Sequence, residues 1–234
     1  MKSKAYRLDR FINKHTKHSL ADTRLLIAQK RILLDRQVAS SIQQQVNEFT
    51  LVELDGERLQ DNQPVYIMLN KPKAVVSATK DAQHKTVIDL ISHPSKQSLH
   101  IVGRLDFNTT GLVLLTNDGN WSRRISLPES KLVKLYEVRT ADPMNSAYIS
   151  AFEQGIYFAY EGITTKPASL EILSDNKARL SIVEGKYHQV KRMFGYFDNE
   201  VTALHRLAVG KLTLGDLALG NSRELSEQEA KAIF

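Results

Sequence analysis

The chain opens with apolar residues at helical spacing. Leu8, Phe11 and Ile12 fall on one face of YRLDRFINKHT, with Arg7, Arg10, Lys14 and Lys17 between them, which predicts a short basic amphipathic helix. Ser19 followed three residues later by Asp22 forms a variant capping box, so 20–30 reads as a second helix. Short apolar runs at 31–34 and 50–54 predict strands, the second entering an Asp55-Gly56 turn. The polar stretch 57–63 reads as the connector between an N-terminal domain, 1–60, and a larger domain, 61–234.

Beyond residue 64 the pattern changes. Short apolar or alternating runs bounded by turn residues predict strands over 65–69, 75–78, 112–116, 135–140, 170–173 and 177–183. Helices are expected over 86–91, 121–125, 146–154 (ended by Gly155) and 188–196, and Ser226 with Glu229 forms a capping box that opens a final short helix. Strands and helices do not cycle regularly, so the expectation is an α+β fold with a mixed, mostly antiparallel sheet.

Charge sharpens this division. The chain has 234 residues, 42% hydrophobic, enough to bury a substantial core, and a net charge of +6. Residues 1–46 hold 10 Lys/Arg against 3 Asp/Glu, whereas the remainder is close to balanced. Attraction to a polyanion is therefore concentrated at the N-terminus, where Arg24, Lys30 and Arg31 add to the four cations of the first helix. The absence of cysteine excludes disulfides, thiolate zinc sites and cysteine nucleophiles, and makes the cytoplasm the expected compartment. Met1-Lys2-Ser3-Lys4 leads into polar sequence without a signal-peptide core, and no apolar run approaches a membrane span, so a soluble, unprocessed protein is expected. His15 and His18 lack a third ligand nearby, and no metal site is expected.

One segment carries candidate chemistry. In GRLDFNTTGL an apolar run leads into Asp106 and another leads out, which places this carboxylate on a loop between two strands, where function tends to sit. On local pattern alone, Asp106 reads equally as a turn cap. Arg104, two residues away, either holds the loop, favours the carboxylate by its charge, or contacts phosphate.

GRLDFNTTGLVLLTNDG resembles the signature of bacterial ribosomal RNA pseudouridine synthases. MLNKPKAVVS, KLYEV and EGKYHQVKRMF fit the same family in order, and WSRRI and TTKPA are most similar to members acting on small-subunit (16S) ribosomal RNA. The resemblance implies that Asp106 is the catalytic aspartate, that Lys191 is its basic partner, and that Tyr136 is an aromatic ring stacking on a flipped uracil. Leu204 would be an apolar wall for that base, and Arg192 a further substrate contact. It also implies uridine 516 as the target. The N-terminal pattern resembles the alpha-L RNA-binding module, although that module usually has glycine near Lys30 and Asn-Gly near Asp35-Arg36.

Each role has an alternative. Lys191 and Arg192 can be phosphate contacts, Tyr136 and Leu204 plain core, and Lys71 in Asn70-Lys71-Pro72 either an RNA-backbone contact or part of a structural turn. Pseudouridine formation breaks and remakes a base–sugar bond with no atom entering or leaving. One carboxylate suffices and no cofactor is expected; whether it acts as nucleophile or base is open. The expected partner is 16S rRNA or a small-subunit assembly intermediate, engaged by a monomer without membrane contact. A 23S-directed enzyme of the same family and a non-catalytic ribosome-assembly protein are the competing readings. Glycoside hydrolysis and phosphoryl transfer lack, respectively, a second partnered acid and a phosphate-binding glycine loop.

Overall fold

The computed structural model describes residues 5–234. Met1 to Lys4, on which the reading of an unprocessed start and the charges of Lys2 and Lys4 depend, lie outside the described residues. The chain divides into two compact units, Met1–Pro64 with Asp118–Asn120, and Val65–Asn117 with Trp121–Phe234.

In the first unit the amphipathic helix spans Leu8–His15 and buries Leu8, Phe11 and Ile12. The Leu20–Ala28 helix starts at the Ser19–Asp22 capping box. Both pack with a four-stranded sheet built on Ile32–Leu34 and Val52–Leu54, around a core that includes Leu26, Val46 and Leu54. Glu57–Gln60, expected to be connector, is instead an edge strand paired with Val52–Leu54. Asp55 and Gly56, both at positive φ, fold it back as a hairpin, and its polar composition suits a solvated edge. Lys30, Asp35 and Arg36 take left-handed φ values of 58°, 49° and 66°. The glycine-preferring conformations therefore persist without glycine, and Asp35 compensates by accepting the Leu51 amide at 2.9 Å.

The second unit is built on a nine-stranded sheet in which Lys134–Thr140 and Val201–Val209 lie centrally. Pairing is antiparallel except where Val201–Val209 runs parallel to Thr110–Thr116, in agreement with the mixed, mostly antiparallel α+β expectation. The sheet is buried on both faces. Ile67, Leu69, Val113 and Leu115 enter one core, Met68, Leu112 and Leu114 the other. Two-sided burial explains why these strands read as continuous apolar runs. On one face lie the Ser146–Gln154 helix and Phe194; on the other, Trp121 and the Glu227–Ala232 helix are joined by Trp121 Nε1 donating to the Ala230 carbonyl at 2.8 Å. The expected strand at 75–78 is reduced to a single Val76–Thr86 bridge, because Ser77 is drawn to the loop at Leu105 instead. The helix expected at 86–91 is one 3₁₀ turn, Ile88–Leu90.

Candidate active site

The loop bearing Asp106 leaves the His100–Val102 strand and enters Thr110–Thr116, and buried polar groups fix it at several points. Ser77 Oγ donates to the Leu105 carbonyl at 2.7 Å and accepts the Leu105 amide at 3.1 Å. Lys71 is completely buried, and its ammonium donates to the carbonyls of Thr109 (2.8 Å), Phe107 (3.1 Å) and Pro72 (3.1 Å). Burial, only partly opposed by the charge of Asp106, lowers its pKa to about 8. The suggestion that Lys71 contacts the RNA backbone is thereby corrected: with no surface exposed and its donors directed at carbonyls, it holds the loop.

Arg206 fastens the loop from the adjacent strand. Its Nη2 donates to the Gly103 carbonyl at 2.6 Å, its Nε to the Leu112 carbonyl at 2.7 Å, and its Nη1 reaches the Tyr136 hydroxyl at 3.4 Å. Gly111, at φ 108°, lies so close to the Arg206 backbone that a Cβ there would collide with it. The glycine ending TTG is thus set by the crossing of two parallel strands.

Asp106 opens into a cavity of about 350 Å³, at the lower end of the range for small-ligand sites. Its carboxylate faces two basic side chains, with His188 Nε2 at 3.5 Å and Lys191 Nζ at 3.9 Å. Tyr136 and Leu204 form buried parts of the wall, and Arg104 an exposed part. Among the described residues no ion pair joins Arg104 to Asp106. Glu184 and the buried Gln189 shape the opposite side: Gln189 Nε2 donates to Glu184 Oε1 at 2.8 Å, while Gln189 Oε1 accepts the Lys186 amide at 2.9 Å. Lys134 also lines the cavity, its pKa lowered by burial and then by the charge of Arg206.

Asp106, Tyr136, Lys191, Leu204 and Arg104 therefore converge, whereas Arg192 does not. Its guanidinium is engaged by both carboxylate oxygens of Glu161 and lies 3.7 Å from the centre of the Phe158 ring. Several cavity residues were not among the expected site residues, His188 and Arg206 foremost. His188 stands within EGKYHQVKRMF at φ 48°, just before the Gln189–Gly195 helix, and its signal was its place in that motif. Arg206 gave no signal, because its strand, Val201–Val209, was itself not expected from the sequence. In the N-terminal unit, Arg10, Lys14, Lys17, Arg24 and Lys30 are exposed. Arg7 pairs with Asp9 at 2.7 Å, and Arg31 makes a two-point bond to Asp55 at 2.7 and 2.6 Å.

The sequence pattern of the RNA pseudouridylate synthase family matches residues 65–196, a span that contains Asp106, Tyr136 and Lys191. A protein named ribosomal small subunit pseudouridine synthase A from Pseudomonas aeruginosa is 48% identical over 229 residues, covering 97% of this chain and 100% of that protein. The Escherichia coli protein of the same name is 40% identical, covering 97% and 99%. A crystal structure of a pseudouridylate synthase matches with a TM-score of 0.71 at 37% identity, covering 97% of this chain and 99% of that one. With the family pattern spanning more than half of the chain and relatives similar along nearly all of it, this chain belongs to the RNA pseudouridylate synthase family and is a pseudouridine synthase, an isomerase.

Proposed function

We propose that this chain isomerises one uridine of 16S ribosomal RNA to pseudouridine in the cytoplasm, with Asp106 as the catalytic carboxylate and no cofactor. The observation that carries this reading is the placement of Asp106 in a nucleotide-sized cavity, facing Lys191 and His188, with Tyr136 and Leu204 in the wall. Small-subunit rRNA is the substrate that the names of the full-length relatives point to, and the motif resemblance points to uridine 516.

A uridine within RNA must leave its stack to reach Asp106, at a cost of a few kcal/mol. Tyr136 stacks on the uracil, worth roughly 1 to 3 kcal/mol, and Leu204 closes the apolar side. Lys191 orients the carboxylate that attacks the base, attacks the sugar, or removes a sugar proton. The basic N-terminal unit, domain 1–60, acts as an alpha-L type capture module: its exposed Arg10, Lys14, Lys17, Arg24 and Lys30 meet phosphates.

The test is pseudouridine mapping of 16S and 23S rRNA from cells lacking the protein, with complementation by wild type or Asp106→Asn. Loss at a single 16S position, restored by wild type and not by Asp106→Asn, is expected. An unchanged 16S map, or full restoration by Asp106→Asn, overturns the reading.

A further inference from the structure

Tyr187 is the residue that the chemistry above leaves unused. It is 76% exposed, yet both of its chain neighbours, Lys186 and His188, line the cavity, which no other strongly exposed aromatic among the described residues shares. Its ring lies flat on the His188 imidazole, with centroids 3.9 Å apart and planes 17° from parallel. One ring face is thus backed and the other is open to solvent. His188 sits in a left-handed conformation at the start of the Gln189–Gly195 helix and faces Asp106, so the stack is anchored to the catalytic site. The Tyr187 carbonyl is in turn touched by Arg192 Nη1 at 3.5 Å, and Arg192 is held by Glu161.

We infer that the open face of Tyr187 is a stacking shelf for the base of a nucleotide adjacent to the target uridine in the RNA strand. The inference rests on the proposed RNA substrate and adds a second base-binding site outside the cavity. When one uridine turns inward its neighbours lose a stacking partner. A flat ring at the cavity rim replaces that partner without regard to base identity, and Lys186 on the rim supplies a cation for the intervening phosphate. A tyrosine already stacked on imidazole loses little side-chain freedom on binding, which favours affinity.

The test is a double-mutant cycle on full-length protein and a 16S rRNA fragment containing the target. Dissociation constants are compared for wild type, Tyr187→Ala and Tyr187→Trp, with the fragment intact or carrying an abasic site at either neighbouring nucleotide. Tyr187→Ala should bind the intact fragment roughly tenfold more weakly, and Tyr187→Trp about as well as wild type. At one neighbour, an abasic site should weaken wild type by a similar factor and leave Tyr187→Ala almost unaffected. Equal abasic effects on wild type and Tyr187→Ala at both neighbours would overturn the shelf. Conversion of the fragment by wild type is scored in parallel. Failure to convert the target both in the fragment and in a small-subunit assembly intermediate would sink the proposed substrate, whereas conversion without coupling at Tyr187 sinks the shelf alone.

Discussion

The two units employ the same cations in opposite ways. In the N-terminal unit Arg10, Lys14, Lys17, Arg24 and Lys30 stand in solvent, where a charge adds little to stability but acts over about a Debye length on a polyanion. In the catalytic unit Lys71 and Arg206 are buried, and between them they satisfy the carbonyls of Pro72, Gly103, Phe107, Thr109 and Leu112. A loop that turns through the interior to present Asp106 leaves carbonyls without strand partners, and an inward-facing cation carries several donors to meet them. Location, not residue type, separates the solvated cations from the architectural ones.

The largest effect is therefore expected from the buried set. Arg206→Met keeps most of the side-chain length but removes the donors that Arg206 gives to the Gly103 and Leu112 carbonyls, which should destabilise the catalytic unit by about 4 kcal/mol and abolish activity. Denaturant unfolding followed by the fluorescence of Trp121, the single tryptophan, reports this directly. A loss below about 1 kcal/mol would mean that the loop holds itself.

Lys71→Met should cost about 3 kcal/mol, since the loop loses all three bonds of the Lys71 ammonium, although the Phe107 carbonyl keeps the Ala74 amide. The pH dependence is distinctive. Folding lowers the Lys71 pKa from 10.5 to about 8, so between these values the unfolded chain holds a proton that the folded chain has released. The contribution of Lys71 to stability consequently rises with pH across that window, and the penalty of Lys71→Met should grow from pH 8 towards pH 10. A penalty that is flat or shrinks with pH would refute the lowered pKa and mean that the folded chain keeps the Lys71 proton.

The same contrast explains which parts of the fold were legible. The 146–154 helix, both capping boxes and the 112–116 run could be read because their polar and apolar positions behave as local rules assume. Val201–Val209, the longest strand, went unread: its inward positions run Leu204, Arg206, Ala208, and an arginine in a core slot erases the alternation. Lys71, at the end of Tyr66–Lys71, was read equally as an RNA contact or part of a structural turn, since a cation in sequence gives no sign that it is buried. The motif led to Asp106, Tyr136 and Lys191, but the cations that position the loop are visible only in three dimensions. Arg192 shows the converse, since adjacency to Lys191 placed it with the site while helix geometry and Glu161 take it elsewhere.

On the exposed side, replacing Arg10, Lys14, Lys17 and Arg24 together by Gln should change stability by no more than about 0.5 kcal/mol per site. RNA affinity should nevertheless fall, and the slope of log affinity against log salt should flatten by about 0.7 to 0.9 for each phosphate that the variant no longer neutralises. Titrations of the full chain with a 16S fragment at several salt concentrations measure this. An unchanged slope would remove the N-terminal unit from phosphate recognition and end the functional half of the comparison.

The smallest effect concerns backbone rather than charge. Arg36 is exposed and occupies a left-handed position, φ 66°, in the two-residue turn between Ile32–Leu34 and Gln37–Val38. Such a conformation costs an L-residue roughly 1 to 2 kcal/mol. Glycine escapes that strain but loses about 0.5 to 1 kcal/mol through the greater freedom of its unfolded chain. The balance favours Arg36→Gly by about 0.5 kcal/mol, whereas Arg36→Ala removes the same charge and keeps the strain. Amide hydrogen exchange at Ile32–Leu34 isolates this unit, and protection should rise about twofold in Arg36→Gly and not in Arg36→Ala. If both variants shift protection alike, the guanidinium rather than the backbone sets the stability of the turn, and Arg36 would join Lys71 and Arg206 as a cation with a structural task.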